Sequence, residues 1–307
     1  MNRRQFLQTA STLAAGISMS SITGCAISNK STKPWFDISL AEWSLHRTLR
    51  SGKLTHLNFP KVAKNDFGIH AVEYVNQFFK DKARDDAYLS ELKSICDGEG
   101  VRSVLIMCDG EGNLGDPDDA QRQKAVENHH KWAEAAKFLG CHSIRVNAAT
   151  GNAGSFEEQQ KRAADGLARL GEYTHSLGIN TIVENHGGLS SNGKWLSGVM
   201  KLVGKPYVGT LPDFGNFYID RAKGEQYDRY QGIEELMPFA KGVSAKSYDF
   251  DADGNESKMD YRRILKIVKA AGYRGYIGIE YEGSVLDEYA GVRATKRLLE
   301  TIRAEMS

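Results

Sequence analysis

Three carboxylates stand at the ends of short apolar runs in this sequence. Glu184 closes the run Thr-Ile-Val-Glu, Glu280 closes Ile-Gly-Ile-Glu, and Asp213 follows Thr-Leu-Pro. An acid at the end of a buried strand is partly desolvated, so it needs a cation or a proton. If the three side chains converge, their oxygens form a site for a divalent ion such as Mg²⁺ or Mn²⁺, or Co²⁺ or Zn²⁺ where an imidazole joins.

Eight such apolar runs recur along the chain, and each is followed by a stretch of different periodicity. Their starts lie roughly 30–40 residues apart, as expected for repeated strand–helix units. The predicted strands are Phe36–Trp43, His70–Val75, Arg102–Cys108, Ser143–Asn147, Asn180–Glu184, Tyr207–Asp213, Gly242–Lys246 and Tyr276–Tyr281. Eight alternating units without a break in composition predict a single (β/α)₈ TIM barrel, in which the carboxyl ends of all strands meet at one rim.

The segments between the predicted strands have helical spacing. In residues 125–139 apolar side chains recur at steps of three and four, and Gly140 ends the pattern. An open doubly wound sheet is the alternative fold, but it requires a glycine-rich phosphate loop after its first strand. The corresponding segment Trp43-Ser44-Leu45-His46 contains no glycine, which favours the barrel.

The overall composition is that of a globular protein. The 307 residues include 40 Lys and Arg against 39 Asp and Glu, and 41% of them are hydrophobic. This near-neutral balance disfavours a nucleic-acid partner. No apolar run is long enough for a polytopic membrane protein, and four cysteines in a chain of this length do not make a disulfide framework.

The amino-terminal segment resembles a bacterial export signal. Arg3-Arg4-Gln-Phe-Leu resembles a twin-arginine motif, and Ile22-Thr23-Gly24-Cys25 resembles a lipobox, whose cysteine is acylated. The run 13–22 between them is too short and too polar to span a bilayer permanently. A cytoplasmic protein with a basic tail is the alternative interpretation.

The two motifs predict the domain organisation and the location of the protein. We expect a signal peptide over residues 1–25 with lipidation at Cys25, a polar tether over 26–34 and the barrel over 35–307. The resemblance implies export through the twin-arginine pathway and a periplasmic lipoprotein whose only membrane contact is its lipid anchor. Removal of residues 1–24 takes away two arginines and no acid, so the balance becomes 38 against 39, or −1.

Three segments at the predicted strand ends carry a family resemblance: Val183-Glu184-Asn185-His186, Pro212-Asp213-Phe214-Gly215-Asn216 and Gly278-Ile279-Glu280-Tyr281-Glu282-Gly283. They resemble the signatures of the fifth, sixth and eighth strands in the xylose-isomerase-like sugar isomerase/epimerase superfamily. The resemblance spans about residues 35–305. It implies one divalent metal held by Glu, Asp, His and Glu, with Glu184, Asp213 and Glu280 as three of these ligands. It also implies that the two glutamates move a proton at the carbon beside a carbonyl.

The fourth ligand departs from that pattern. The resemblance implies a histidine two residues before a lysine on the seventh strand, where this sequence has Ser244 before Lys246. Two interpretations stay open. His186 supplies the nitrogen ligand, being on the same face as Glu184 if the strand continues; otherwise the site binds metal weakly or not at all, and Lys246 supplies the positive charge. Asn216 likewise stands where related epimerases have a substrate-binding histidine.

Together these residues predict a metal-assisted sugar isomerase or epimerase that acts on a non-phosphorylated sugar or keto-sugar. Glu184 and Glu280 exchange a proton beside the carbonyl through an enediolate, and Lys246 steadies the oxyanion. Aromatic residues are expected to stack on the apolar face of the sugar. The predicted substrate-binding residues are His186, Asn216, Trp43, Glu73 and Tyr281.

Other functions use the same residues. A lyase or hydratase would eliminate a leaving group from an oxidised sugar through the same enediolate, and a sugar-binding lipoprotein without catalysis would lack the fourth ligand. An apurinic endonuclease is disfavoured because it needs clustered zinc-binding histidines, whereas His129, His130, His142 and His175 fall on helices or strand starts. The predicted partner is a small carbohydrate, and the sequence leaves the oligomeric state open.

Overall fold

The computed structural model describes residues 34–151 and 153–307. The predicted signal peptide, the predicted lipidation site at Cys25 and nearly all of the predicted tether lie outside the described residues. Within the described part, ten strands and nine α-helices follow one another in the expected alternation. The strands are β1 (Asp37–Ala41), β2 (Ala71–Val75), β3 (Arg102–Met107), β4 (Ser143–Asn147), β5 (Asn180–Glu184), β6 (Val208–Leu211), β7 (Tyr218–Asp220), β8 (Glu225–Gln226), β9 (Val243–Ser247) and β10 (Tyr276–Tyr281).

The helices lie between successive strands. They are α1 (His46–Arg50), α2 (Phe59–Phe67), α3 (Asp86–Glu99), α4 (Asp119–Leu139), α5 (Phe156–Ser176), α6 (Gly193–Val203), α7 (Arg229–Leu236), α8 (Tyr261–Ala270) and α9 (Glu288–Glu305). Most begin at an Asp, Asn or Ser whose side chain accepts a hydrogen bond from a backbone amide of the first turn, as at Asp260 before α8. Among the described residues, no helix combines the length and the apolar character needed to cross a lipid bilayer.

Eight parallel strands form the sheet in the order β6-β5-β4-β3-β2-β1-β10-β9. Parallel bridges join its two edges, between Thr210 and Ala240 and between Asp213 and Ser244. The amide of Ser244 donates to the carbonyl of Pro212 at 2.9 Å, and the amide of Phe214 donates to the carbonyl of Ser244 at 3.1 Å. These bonds close the sheet, so the predicted single (β/α)₈ TIM barrel is confirmed.

Some predicted strands end later than the strands of the structure, because the backbone stops pairing with its neighbours earlier than the sequence indicated. Three predicted strands, Ser143–Asn147, Asn180–Glu184 and Tyr276–Tyr281, agree with the structure. The first strand stops at Ala41, because residues 42–45 form a 3₁₀ turn. The sixth strand stops at Leu211, since the following Pro212 has no amide hydrogen to donate to a ladder.

The inside of the barrel below its carboxyl rim is filled mainly by apolar side chains, although Ser39 and Glu73 are also buried there. The side chains that fill it are buried and come from alternate positions of the strands: Ala41, Ala71, Val75, Leu105, Met107, Ile182 and Leu211. A second and larger apolar layer lies between the strands and the helices around them. The inner layer forms the floor on which the polar groups of the rim stand.

The loop between β3 and α4 packs directly on α5 at Gly166. A Cβ atom at this position would overlap the carbonyl oxygen of Leu114, so we expect Gly166→Ala to lower the free energy of unfolding by about 1–3 kcal/mol. Gly98→Ala in α3 is the matched control because a Cβ there meets no atom within 4 Å. It should leave stability unchanged or raise it by up to about 1 kcal/mol. Urea denaturation measures both, and equal effects would contradict this packing.

Candidate active site

Three strand-end carboxylates meet inside the carboxyl rim of the barrel. Glu184 is the last residue of β5, Asp213 follows β6 by two residues, and Glu280 lies in β10. One carboxylate oxygen from each lies within 4.8 Å of the others, and all three side chains are buried. Among the described residues this is the group of acidic side chains whose geometry would suit a cation.

Asp213 is held in place by its own backbone surroundings. The amides of Gly215 and Asn216 each donate to Asp213 Oδ1 at 2.8 Å. Asn185 pairs with the same turn, because its Oδ1 accepts from the Asp213 amide at 2.8 Å and its Nδ2 donates to the Asp213 carbonyl at 3.0 Å. These contacts fix the carboxylate before any ligand arrives.

Ser244 occupies the position where the family resemblance implies a histidine. Its Oγ lies 2.8 Å from Asp213 Oδ2 and 3.1 Å from Glu280 Oε2. A hydroxyl has one hydrogen to donate, so it can bond to one of these oxygens at a time. The serine therefore lies between two of the three carboxylates and adds no imidazole nitrogen.

Two buried cations are paired with the carboxylates. Lys246 Nζ lies 3.0 Å from Glu280 Oε1 and 3.1 Å from Glu282 Oε1, and 3.8 Å from Asp213 Oδ2. Glu280 lies opposite Lys246 in the pairing of β10 with β9, and Glu282 follows the end of β10. Lys246 is only 2% exposed, so these carboxylates replace the water that its charge would otherwise require.

Arg145 on β4 is the second cation. Its Nη1 donates to Asp109 Oδ1 at 2.7 Å, and its Nε lies 2.8 Å from Glu184 Oε2. The contact between Arg145 and Glu184 is an ion pair only. Both atoms, Nε and Oε2, are buried, and neither makes a hydrogen bond of acceptable geometry. Asn216 Nδ2 donates to the other oxygen of Glu184 at 2.9 Å.

Burial and these ion pairs separate the acidities of the carboxylates. Desolvation raises the pKa of Glu184 and that of Asp213 to about 7, although Arg145 and Lys246 oppose the rise. Burial also disfavours ionisation of Glu280, but Lys246 and Arg145 together outweigh it and hold the pKa of Glu280 below its usual value. Two acids of one cluster thus have different proton affinities, which is the arrangement needed for a base and an acid at one site.

A cavity of about 310 Å³ opens above this cluster. Its polar lining includes Asp109, Arg145, His186, Glu280 and Glu282, and its apolar lining includes Trp43, Val75 and Met107. Arg145 holds the pKa of Asp109 at about 2 against the opposing effect of burial, so this wall carries a fixed negative charge. The cavity combines an apolar face with convergent polar groups, as sites for small molecules do.

Trp43 forms the aromatic part of the cavity wall. The His46 ring stacks on it with centroids 4.9 Å apart, and the Arg50 guanidinium lies 4.8 Å from its centroid. His46 Nδ1 is 2.7 Å from the carbonyl oxygen of Trp43. The predicted stacking residue therefore lines the cavity and is supported by its neighbours.

Two predicted substrate-binding residues lie elsewhere. Tyr281 is fully buried, its hydroxyl donates to the carbonyl of Leu286 at 3.0 Å and its ring packs on Gly291 of α9. The prediction that it stacks on a sugar is wrong, because adjacent strand residues point to opposite faces and Glu280 takes the inner one. Glu73 does not lie at the rim as predicted. It is buried in the barrel interior beside Gly278 and accepts a 2.6 Å hydrogen bond from Ser39.

The structure also revises the predicted roles of His186 and Asn216. Strand β5 ends at Glu184, so His186 lies in the loop, lines the cavity and is not part of the carboxylate group. We expected His186 to be a metal ligand only if β5 continued beyond Glu184, and the strand does not continue. Asn216 is buried and donates to Glu184, so it holds this carboxylate and does not face the cavity.

Asp109, Arg145 and Glu282 line the cavity although none was among the predicted site residues. Each is a charged residue at or near the carboxyl end of a strand, and this position is a recognisable signal in a barrel. Arg145 lies inside because β4 alternates and Ile144 and Val146 face the helices. Sequence analysis did not reveal that both of its acidic partners would come from neighbouring strands.

The carboxylate group fits a divalent ion with oxygen ligands. Glu184 Oε2 is buried and accepts no directed hydrogen bond although Arg145 Nε lies 2.8 Å away, so it keeps a lone pair for a bound ion. Glu184, Asp213 and Glu280 supply hard carboxylate donors, and Ser244 adds a hydroxyl. Such a set suits Mg²⁺ or Mn²⁺ better than a soft ion.

A closed (β/α)₈ barrel with its charged groups gathered at the carboxyl rim defines a class of proteins that includes many enzymes. The family model described as xylose isomerase-like TIM barrel matches residues 61–304, and the chain belongs to this family. A 3-keto-D-glucoside 4-epimerase and a D-tagatose 3-epimerase-like protein are among its structural neighbours.

Individual proteins resemble the chain over different extents. The C-glycoside deglycosidase alpha subunit of Arthrobacter globiformis is 47% identical over 49 residues, which cover 16% of this chain and only 14% of that subunit. The apo structure of the 3-keto-D-glucoside 4-epimerase YcjR from E. coli is 16% identical and has a TM-score of 0.63, covering 88% of this chain and all of YcjR. The structure of the IOLI protein with a bound zinc atom is 14% identical with a TM-score of 0.70, covering 88% and 98%. At these identities, the two structures show the fold alone.

The buried acid Glu73 makes stability depend on pH. Desolvation raises its pKa from 4.5 to about 7 in spite of the hydrogen bond from Ser39, so the folded state keeps a proton that the unfolded state loses. The stability contributed by this proton is complete below about pH 4.5 and is lost as the pH rises to about 7. We expect the free energy of unfolding of Glu73→Gln, relative to the wild type, to rise by roughly 3 kcal/mol across this range.

Urea denaturation at several pH values measures this difference. Glu91→Gln, at an exposed position of α3, makes the same chemical change without burial and is the matched control. A constant difference for Glu73→Gln would show that Glu73 is ionised in the folded protein.

Proposed function

We propose that this protein is a sugar isomerase or epimerase that moves a proton at the carbon beside the carbonyl of a non-phosphorylated keto-sugar. The observation that supports this most is the pair of glutamates at the rim. Glu280 has its pKa lowered and Glu184 has its pKa raised to about 7, while their carboxylate oxygens lie within 4.8 Å of each other. Near neutral pH Glu184 therefore holds a proton more readily than Glu280, and a base and an acid at one carbon require such a difference.

In this proposal Glu280 is the base. It lines the cavity and is therefore the carboxylate of the group that a bound sugar meets first. Lys246 keeps it ionised through the 3.0 Å ion pair, and Ser244 orients its second oxygen. Removal of the proton by Glu280 gives an enediolate, and return of a proton from Glu184 gives the epimer.

Glu184, Asp213 and Glu280 would hold a divalent ion. Such an ion polarises the substrate carbonyl and stabilises the enediolate when it is bound. The structure of the IOLI protein, which has the same fold, contains zinc, but the oxygen donors of this chain favour Mg²⁺ or Mn²⁺. Asn216 and the backbone amides of Gly215 and Asn216 orient the carboxylates for this purpose.

The cavity favours an uncharged sugar. Asp109, Glu280 and Glu282 line it, and both nearby cations are already paired with carboxylates. A phosphate or carboxylate group would therefore meet more negative than positive charge. Trp43 offers a face for stacking, and the carboxylates and His186 offer hydrogen-bond partners for hydroxyls.

Elimination from the same enediolate is a second candidate function. The observation that favours it is the 47% identity over 49 residues with a subunit of a C-glycoside deglycosidase, since removal of a glycosidic group beside an enediolate is an elimination. Glu280 would again act as the base, and Glu184 would protonate the leaving group. Analysis of products distinguishes this reaction from epimerisation because a fragment is released.

Proton exchange in D₂O tests the proposed function. With a 3-keto-D-glucoside, the substrate named for YcjR, the wild type should incorporate deuterium at the carbon beside the carbonyl and form an epimer. Glu280→Gln should lower both rates roughly 10²–10⁴-fold. Glu184→Gln should still incorporate deuterium through Glu280 but should form less epimer, because the second proton carrier is missing.

The metal content of each variant is measured in parallel, which separates the loss of a proton carrier from the loss of a ligand. Glu91→Gln serves as a control for the substitution itself. The base assignment is wrong if Glu280→Gln exchanges at the wild-type rate. A wild type that binds the sugar with neither exchange nor fragment release would instead be a binding protein.

We also propose that the protein is exported and lipidated at Cys25, because the motifs at Arg3-Arg4 and Ile22-Thr23-Gly24-Cys25 occur in the order that a twin-arginine lipoprotein requires. In a bacterial host the wild type should incorporate labelled palmitate and fractionate with membranes. Cys25→Ser should lose the label, and replacement of both arginines by lysine should leave the precursor in the cytoplasm. Labelling that persists in Cys25→Ser would refute the proposal.

A further inference from the structure

The two cations of the site differ in their access to a bound sugar. Lys246 was predicted to steady the oxyanion, but its ammonium group lies among Asp213, Glu280 and Glu282 at distances of 3.0 to 3.8 Å. It is not among the residues that line the cavity, whereas Arg145 is. The cation that a substrate can reach is therefore the arginine.

Arg145 has donors to spare for a ligand. Its guanidinium carries five N–H groups. Nη1 donates to Asp109 and Nε faces Glu184, while within residues 34–151 and 153–307 its Nη2 donates no hydrogen bond. The side chain is 5% exposed and belongs to the cavity lining, so its remaining donors are reached from the cavity and not from bulk water.

The guanidinium is also fixed in orientation. Asp109, its partner, accepts a second hydrogen bond from Asn147 Nδ2 at 2.8 Å. Asn76 holds the backbone of Asp109, because its Oδ1 accepts from the Asp109 amide at 3.0 Å and its Nδ2 donates to the carbonyl at 2.9 Å. A charged donor fixed before the substrate binds costs no reorganisation when charge develops during the reaction.

We propose that Arg145, and not Lys246, is the catalytic residue that donates to the carbonyl oxygen of the substrate and stabilises the enediolate oxyanion. This inference rests on the proposed proton transfer beside a carbonyl. When Glu280 takes the proton from carbon, the electron pair moves to the carbonyl oxygen, and the guanidinium neutralises the charge that forms there. Lys246 is then a positioning residue, which acts by keeping Glu280 ionised and in place.

A guanidinium suits this role better than an ammonium would. It is charged at every pH that the protein meets, and its planar fork can contact two carboxylates and a third oxygen together. A lysine at position 145 could keep the charge but could not make all of these contacts. Arg145→Lys is therefore a test of geometry that leaves the net charge of the site unchanged.

Calorimetry with a matched pair of ligands tests the inference. The first ligand is methyl 3-keto-D-glucoside, and the second is its analogue with CH₂ in place of the carbonyl. The wild type should prefer the keto ligand by roughly 10- to 100-fold, as expected for a hydrogen bond from a charged donor. Arg145→Lys should reduce this preference to within about threefold, whereas Lys246→Gln should keep most of it even though its turnover falls.

Thermal unfolding checks that both variants are folded. Where Arg145→Lys does not fold, the double variant Arg145→Gln/Asp109→Asn removes both charges of that ion pair, and Glu184, the other partner of Arg145, loses its cation. The double variant should show the same loss of preference. Three results would overturn the inference. The preference for the keto ligand survives in the arginine variants, it disappears in Lys246→Gln, or the wild type does not show it.

The outcome is distinguishable from failure of the proposed function. A wild type whose preference depends on Arg145 but which gives no exchange in D₂O would refute the proton transfer and leave the arginine contact standing. A wild type that exchanges protons, with a preference that Arg145→Lys does not change, would refute the role of the arginine alone.

Discussion

Negative charge buried at the rim of the barrel is the constraint on which the other features of the site depend. Glu184, Asp213 and Glu280 have almost no contact with solvent, and ionised carboxylates in such surroundings are costly unless they are neutralised. Lys246 and Arg145 provide two positive charges, fewer than the acids that surround them. The excess negative charge of the carboxylates has to be neutralised by protons or by a divalent ion. A proton held there can be transferred to a substrate, and a divalent ion can polarise a carbonyl.

The fold supplies this concentration of charge through its symmetry and period. Parallel strands bring their carboxyl ends to one rim, and alternation places every second side chain inside. Gly278 lies on β10, two positions before the catalytic candidate Glu280. Because it has no side chain, it leaves space that the carboxyl group of Glu73 fills. On β9 the same alternation puts Ser244 and Lys246 on the inner face, next to their partners on β10. The apolar floor below keeps water out and thereby strengthens each ion pair.

Sequence analysis gave the architecture because its signals are local. Apolar runs and helical periodicity were enough to predict eight strands within a few residues, and a proline accounts for the early end of the sixth. The three carboxylates could also be chosen from sequence, since each closes an apolar run. The partners of these acids could not, because each ion pair joins residues on different strands: Arg145 on β4 meets Glu184 on β5. The stacking role of Tyr281 and the ligand role of His186 were misjudged, because each depended on which way a single residue points at the end of a strand. Which of the two cations faces the cavity was equally inaccessible from the sequence.

The central claim is that three acids, distant in sequence, form one site for a divalent ion. The most direct measurement is the binding of Mn²⁺, followed by electron paramagnetic resonance, to the wild type and to the single variants Glu184→Gln, Asp213→Asn and Glu280→Gln. The wild type should bind one ion per chain, and each substitution should weaken this binding at least roughly tenfold, because each removes one charged ligand from the same ion. Binding that is the same in all four proteins, or that is absent from the wild type, would contradict the claim that these carboxylates share a cation.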